Sequence, residues 1–170
     1  MPLNKLRTYN ELLDIASLSP HQRDLSLRGI FNRDFVDINT DSLKFKNKKI
    51  YPTPNDGVIE IETLFCHLTK EMTDKVNRTR LFDYHRAIRL HWVKYHLNEN
   101  KKNNMFFFSV EEPEGIRTYY YDKDEKYVLV FEPLREVDGY YLLSAYLVRG
   151  KDALRDKMMK KYQRKLDIVY

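Results

Sequence analysis

Nine residues near the end of the chain, Tyr140-Tyr141-Leu142-Leu143-Ser144-Ala145-Tyr146-Leu147-Val148, constrain the fold more than any other stretch. They are aromatic or aliphatic from end to end, with one small hydroxyl in the middle, and read as a β-strand. Strand side chains alternate between faces, so Tyr140, Leu142, Ser144, Tyr146 and Val148 are expected on one side, and Tyr141, Leu143, Ala145 and Leu147 on the other. Both sets are largely apolar, the pattern of a strand covered on both faces. A serine and a tyrosine on the same side of such a strand are either satisfied polar groups of a core or the floor of a site.

Three further strands precede it, at 105–110, 116–121 and 126–132, joined by the turns Pro113-Glu114-Gly115 and Asp122-Lys123-Asp124-Glu125. Connections this short predict an antiparallel meander. Gly150 ends the last strand, and 151–166 reads as a closing helix with Ala153, Leu154, Met158, Tyr162 and Leu166 turned inward. Upstream, Thr8 is placed to cap a helix through Glu11, Leu12, Leu13 and Ile15, and Ser19-Pro20 starts a second helix that runs to about Val36. Residues 42–51 form a small hairpin or extended arm, and Pro52-Thr53-Pro54-Asn55-Asp56-Gly57 is the clearest break in the chain. After it, Ile61, Leu64, Phe65, Leu68 and Met72 have helical spacing, Asn77-Arg78-Thr79 interrupts, and Thr79 caps a helix over 80–97. The expected fold is α+β: N-terminal helices, a four-stranded antiparallel β-meander and a C-terminal helix. Residues 1–57 are a mostly helical extension with no assignable role, and 58–170 form the main domain.

Composition removes several function classes. The 170 residues are 42% hydrophobic and 14% aromatic, enough for a sizeable core. No run approaches the ~18 to 20 apolar residues of a membrane span, so no membrane partner is expected. The start, Met1-Pro2-Leu3-Asn4-Lys5, lacks the apolar stretch of a secretory leader. Cys66 is the only cysteine, which rules out an intrachain disulfide and a cysteine-based zinc site and fits a reducing cytoplasm. No GxxxxGK[ST] or GxGxxG loop is present among only five glycines. No HExxH or clustered acidic and histidine set points to a metal, and no cofactor is expected. Ser144 lies within a strand rather than on a GxSxG elbow, so serine hydrolysis fits poorly.

The net charge of +5 is uneven. The last twenty residues carry Lys151, Arg155, Lys157, Lys160, Lys161, Arg164 and Lys165 against Asp152, Asp156 and Asp167. Such a segment is a solvated helix face or a surface for polyanions such as nucleic acid. The helix expected over 80–97 is more unusual. At ~100° per residue, one apolar stripe holds Phe82, Leu90, Val93 and Leu97, and another holds Leu81, Tyr84, Ile88, Trp92 and Tyr95. His85, Arg89 and His96 fall in the gap between the stripes, Arg86 falls within the first, and His91 lies on the exposed side. Desolvated bases need partners. Either they pair with sheet carboxylates such as Glu132 or Asp122, or they line a cationic pocket for phosphate, with arginine as a bidentate ligand and histidine for proton transfer. His67 lies in the preceding helix and is a further candidate for that pocket; His21 reads as surface. RNA cleavage without a metal needs a base for the 2′-hydroxyl, donors for the phosphorane and an acid for the leaving oxygen, and histidine, arginine, serine and tyrosine can supply these.

The helix His85-Arg86-Ala87-Ile88-Arg89-Leu90-His91-Trp92, the strand meander with Tyr127-Val128-Leu129-Val130-Phe131-Glu132, the strand Tyr140-Tyr141-Leu142-Leu143-Ser144-Ala145-Tyr146 and the basic closing helix occur in that order. This resembles the phage-type branch of the barnase–EndoU–colicin–RelE-like nucleases, the BECR fold, whose members pair an R-A-x-R-[IL]-x-W-[IV] helix with a Y-Y-L-L-[ST]-A-[YF] final strand. The match covers roughly residues 79–166. It implies a compact α+β nuclease, usually acting on RNA without a metal, with Arg86 and Arg89 as site bases and Ser144 and Tyr146 at the final strand. Trp92 matches but reads as core. The sequence departs from the pattern at His91, where proline is frequent, and in having no placed general base; His85 takes that role from the wheel. His96, Arg117, Lys151, Arg155, Lys160 and Lys161 are then expected to hold RNA. The expectation is a metal-independent endoribonuclease of phage or mobile-element origin, acting as a toxin, with an antitoxin or immunity protein or a host protein as a further partner. The competing expectation is an inactive BECR-like protein that binds nucleic acid or a host protein. A weaker one is DNA binding through the N-terminal helices.

Overall fold

The computed structural model describes residues 8–39, 43–55, 57–58 and 60–170. The N-terminal five residues read against a leader, Ser42 at the start of the expected arm, and Asp56 in the expected break lie outside these. In chain order the elements are α1 (Pro20–Phe31), which continues into a π-helical turn (Asn32–Val36), β1 (Lys44–Phe45), β2 (Lys48–Pro52), α2 (Ile61–Thr69), β3 (Lys70–Asp74), β4 (Thr79–Phe82), α3 (Tyr84–Ala87), α4 (Leu90–Leu97), β5 (Met105–Glu112), β6 (Gly115–Asp122), β7 (Tyr127–Pro133), β8 (Gly139–Leu147), α5 (Lys151–Leu154) and α6 (Lys157–Gln163).

The fold is α+β. The antiparallel meander β5–β8 is present, but the sheet has six strands rather than four, in the order β1-β2-β8-β7-β6-β5. The two additional strands come from the segment before Gly57. The β1–β2 hairpin lays β2 parallel to β8, with Lys49 opposite Gly139 and Ile50 opposite Tyr140. A Cβ on Gly139 would stand 3.0 Å from the Lys49 carbonyl and 2.9 Å from the Tyr51 ring, so this join needs glycine.

Both faces of the sheet are covered. Tyr120, Tyr127, Leu129, Phe131, Tyr140 and Leu142 face the larger core, which takes Leu27 and Ile30 from α1, Leu64 and Leu68 from α2, and Trp92 and Leu97 from α4. On the opposite face, Phe108, Val110, Tyr119, Val128 and Val130 pack on Met158 of α6. The tail beyond α6 returns to the sheet. The Leu166 N–H donates to the Ser109 carbonyl, and the hydroxyls of Thr118 and Tyr140 donate to the Tyr170 carbonyl, satisfying polar groups otherwise stranded in the interior.

α1 begins as its sequence predicts. Ser19 accepts from the Gln22 N–H, Gln22 reaches back to the Ser19 N–H, and Pro20 occupies the first turn. Three expectations fail. Residues 8–19 form turns rather than a helix, because their polar groups serve α3 and α4: the Leu13 N–H donates to the Ile88 carbonyl and Trp92 Nε1 donates to the Glu11 carbonyl. The helix expected over 80–97 starts only at Tyr84, after the β3–β4 hairpin. It breaks at Ile88 and Arg89, so the single wheel does not describe it. The closing helix is broken at Arg155 and Asp156, and Leu154 is 88% exposed rather than packed.

Candidate functional site

The final strand contains a bulge. Val130 lies opposite Ser144 and Phe131 opposite Leu142, which leaves Leu143 as the additional residue. A bulge shifts the alternation by one. Tyr140 and Leu142 therefore face the larger core, while Ser144, Tyr146 and Val148 face the side covered by α5 and α6, so the five residues expected on one face are divided between two. β2 ends at Pro52, opposite Leu142. Beyond that point β8 keeps β7 on one side but, among the described residues, has no strand on the other, and α2, α3 and the β3–β4 hairpin gather at that open edge.

Arg86 closes this edge. Its Nη1 is shared among the carbonyls of His67 and Lys70, both at 3.0 Å, and the Ser144 hydroxyl at 2.9 Å. Its Nε lies 3.3 Å from Asp83 Oδ2, and the guanidinium lies over the Tyr146 ring at 5.3 Å. The other oxygen of Asp83 accepts the Arg86 N–H and caps α3. Arg86 Nη2 makes no bond to the described residues. One prong of the fork is thus built into the fold and the other is left over. His67 sits behind it; burial, aided by Arg80 and Arg86, lowers its pKa to about 4.

Two cavities open on either side of Arg86 and Tyr146, and Glu71 lines both. The smaller, about 360 Å³, is walled by Asp83, His85, Arg149 and Asp152. The larger, about 690 Å³, is walled by Arg80, Arg117, Glu112, Ser144 and Lys161. Arg80 is half-buried, and burial together with the Arg86 charge lowers its pKa. Among the described residues it has no hydrogen bond or ion pair. Two guanidinium groups that repel one another, one of them without an acid partner, leave an unmet demand for an anion. Glu71 and the His85 ring likewise make no hydrogen bond or ion pair to the described residues. Burial pushes the Tyr146 phenol up, which keeps it a donor. Glu112 is different. Burial would raise its carboxyl, but Lys161 and the Tyr119 hydroxyl donate to it and, with Arg164 3.3 Å away, hold it below the usual range.

Of the expected site residues, Arg86 and Tyr146 line both lobes, His85 lines the smaller, and Ser144, Arg117 and Lys161 line the larger. Arg117 and Lys161 already have acid partners, Glu132 at 3.4 Å and Glu112. Arg89 is not with them. It donates to the His85 carbonyl and lies over Trp92, and burial lowers its pKa. His96, expected to hold RNA, is 1% exposed. It hydrogen-bonds the Trp92 carbonyl at 2.7 Å and Asp122 at 2.9 Å, so it is a core group. His91 is not on an exposed side either: it is 5% exposed, with Nε2 3.0 Å from the Thr8 carbonyl. Lys151 is exposed on α5, Arg155 at the break after it and Lys160 on α6, and His21 is exposed on α1. Sequence reasoning missed Glu71, Arg80, Asp83 and Arg149. The signal available was the Asn77-Arg78 turn between two short segments, which matches a hairpin as well as a helix break.

No family model, no curated protein and no solved structure matches this chain.

Proposed function

We propose that the cleft at Arg80 and Arg86 binds a phosphodiester and that the protein is a metal-independent endoribonuclease. The observation that carries this reading is the unpaired, half-buried Arg80 beside Arg86, whose Nη2 is unused. These cations would bind the non-bridging oxygens and neutralise charge that develops on the phosphorane. Glu71 would take the proton of the 2′-hydroxyl as its oxygen attacks phosphorus. His85, in its protonated form, would give a proton to the departing 5′-oxygen, and Tyr146 would donate to the phosphorane. The product ends are a 2′,3′-cyclic phosphate and a free 5′-hydroxyl. The BECR-like order of motifs and the β5–β8 meander support the same class, and a reducing cytoplasm is the setting that fits one unpaired cysteine. Ser144 and Arg86 Nη1, the pair implied by the resemblance, serve each other, so chemistry falls to Glu71 and His85.

Incubation of purified protein with single-stranded RNA in excess chelator should yield 2′,3′-cyclic ends. No cleavage by folded protein removes the enzyme reading. The engagement of Arg86 and Ser144 with each other also favours a second reading, an inactive BECR-like protein that binds nucleic acid in this cleft. That reading predicts salt-sensitive binding of RNA without turnover. Tight, salt-insensitive capture of a host protein or an antitoxin would move the partner away from nucleic acid.

A further inference from the structure

A third cavity, about 330 Å³, lies on the outer side of α5 and α6, lined by Asp152, Arg155, Lys157, Lys160, Lys161 and Arg164. It borders both lobes of the cleft: Asp152 also lines the smaller lobe, and Lys161 also lines the larger. We propose that this groove carries the phosphates that flank the one held at Arg80 and Arg86, which makes the ligand a single-stranded oligonucleotide longer than a dinucleotide. The inference rests on the phosphodiester reading above and extends it in length and strandedness.

Charge bookkeeping in the groove separates structural cations from available ones. Lys157 is taken by Asp152 at 3.0 Å, and Lys161 and Arg164 by Glu112. Arg155 and Lys160 have no acid partner among the described residues and are exposed. On the route back to Arg86, Arg149 lies 3.9 Å from Asp83 and remains half exposed. Available cations therefore continue away from the Arg80–Arg86 pair around α5, rather than forming one isolated point. A row of cations suits the repeating charge of a nucleic-acid backbone. The lobes favour a single strand. At about 360 and 690 Å³ they have the size of small-molecule pockets, walled by the hairpin, the sheet and α6. A nucleotide unit can enter such a space, whereas a base-paired duplex is wider than either lobe.

The test is fluorescence anisotropy with labelled single-stranded 2′-O-methyl RNA, which has no 2′-hydroxyl to attack, of dinucleotide, hexanucleotide and dodecanucleotide length and a duplex of dodecanucleotide length, over a salt series. The wild-type protein and the double variant Arg155→Ala/Lys160→Ala are compared, both sites being exposed and unpaired so that the fold is kept. Wild-type affinity should rise with length. The double variant should bind the dinucleotide as wild type does, lose the gain with length, and lower the slope of log K against log salt by about 1.4. Dinucleotide binding with no gain in length, or an unchanged salt slope in the variant, overturns the groove and leaves the phosphodiester site standing. Equal affinity for the duplex overturns the single-strand assignment. Failure to bind any oligonucleotide removes the phosphodiester reading itself, and this proposal with it.

Discussion

Replacing Asp122 with Asn removes one charge from the interior with almost no change in shape. The Asp122 carboxylate is fully buried and accepts four hydrogen bonds: Tyr9 Oη at 2.7 Å, His96 Nε2 at 2.9 Å, Lys101 Nζ at 2.7 Å and the Glu125 N–H at 3.2 Å. Burial alone would raise its pKa, but these donors outweigh burial and hold it well below the usual carboxylate range. Asparagine offers one acceptor oxygen and turns an NH₂ toward donors, and it leaves Lys101 with Asp124 as its acid partner beside the Asn103 carbonyl. Breaking a buried charged pair costs about 3–5 kcal/mol. In a chain of this size each kcal/mol moves Tm by about 2–4 °C, so the variant should melt about 6–20 °C lower at neutral pH. The folded carboxyl has a depressed pKa, so its contribution is complete above the unfolded value of about 3.9 and is lost as pH falls below that. The gap between wild type and variant should therefore narrow in acid. Thermal melts followed by circular dichroism across that range test both statements. A loss under about 2 °C, or a gap that does not narrow in acid, refutes the view that Asp122 anchors the residue 8–19 segment and α4 to the sheet.

Removing the Arg86 side chain should cost about 2–4 kcal/mol, because the carbonyls of His67 and Lys70 lose a charged donor, whereas Ser144→Ala should cost about 1 kcal/mol. Urea denaturation compares them, and equal costs would contradict the clamp. His67 is held to about 4 from 6.5 by burial with Arg80 and Arg86 nearby. The unfolded chain binds that proton more readily, so stability is complete above pH ~6.5 and falls by up to roughly 3 kcal/mol as pH drops to ~4. His67→Gln should flatten that slope, and NMR titration of the ring should give the low value directly. Phosphate should raise Tm if it fills the cleft, by about 2.7 kcal/mol of stability at a hundredfold excess over its Kd. Arg80→Ala should lose that rise, and a variant that keeps it would place the anion elsewhere.

The meander was legible because β5–β8 are rich in aromatic and β-branched residues and their turns are short, and α1 because Ser19, Pro20 and Gln22 form a complete start signal. The β2–β8 join was not, since parallel pairing across some ninety residues leaves no local trace and Lys48-Lys49 look like surface. The β3–β4 hairpin was hidden for a different reason. Met72 continues the spacing of Ile61, Leu64, Phe65 and Leu68, and β4 sets Leu81 directly beside Phe82, so no strand alternation stands out. That one misreading moved Glu71 and Arg80 out of view, and it placed His96 in a pocket that it does not enter. The bulge at Leu143 had no sequence signal, yet it carries Ser144 and Tyr146 to the face where the cleft lies.

The central claim concerns one phosphodiester held by Arg80 and Arg86 with Glu71 beside it. Its most direct measurement uses a DNA oligonucleotide carrying a single ribonucleotide, incubated with wild type and Glu71→Gln in chelator. The account predicts wild-type cleavage only 3′ to the ribose, a 2′,3′-cyclic end, and loss of cleavage in the variant with retention of binding. Cleavage of the all-deoxy strand, or a Glu71→Gln protein as active as wild type, would contradict it.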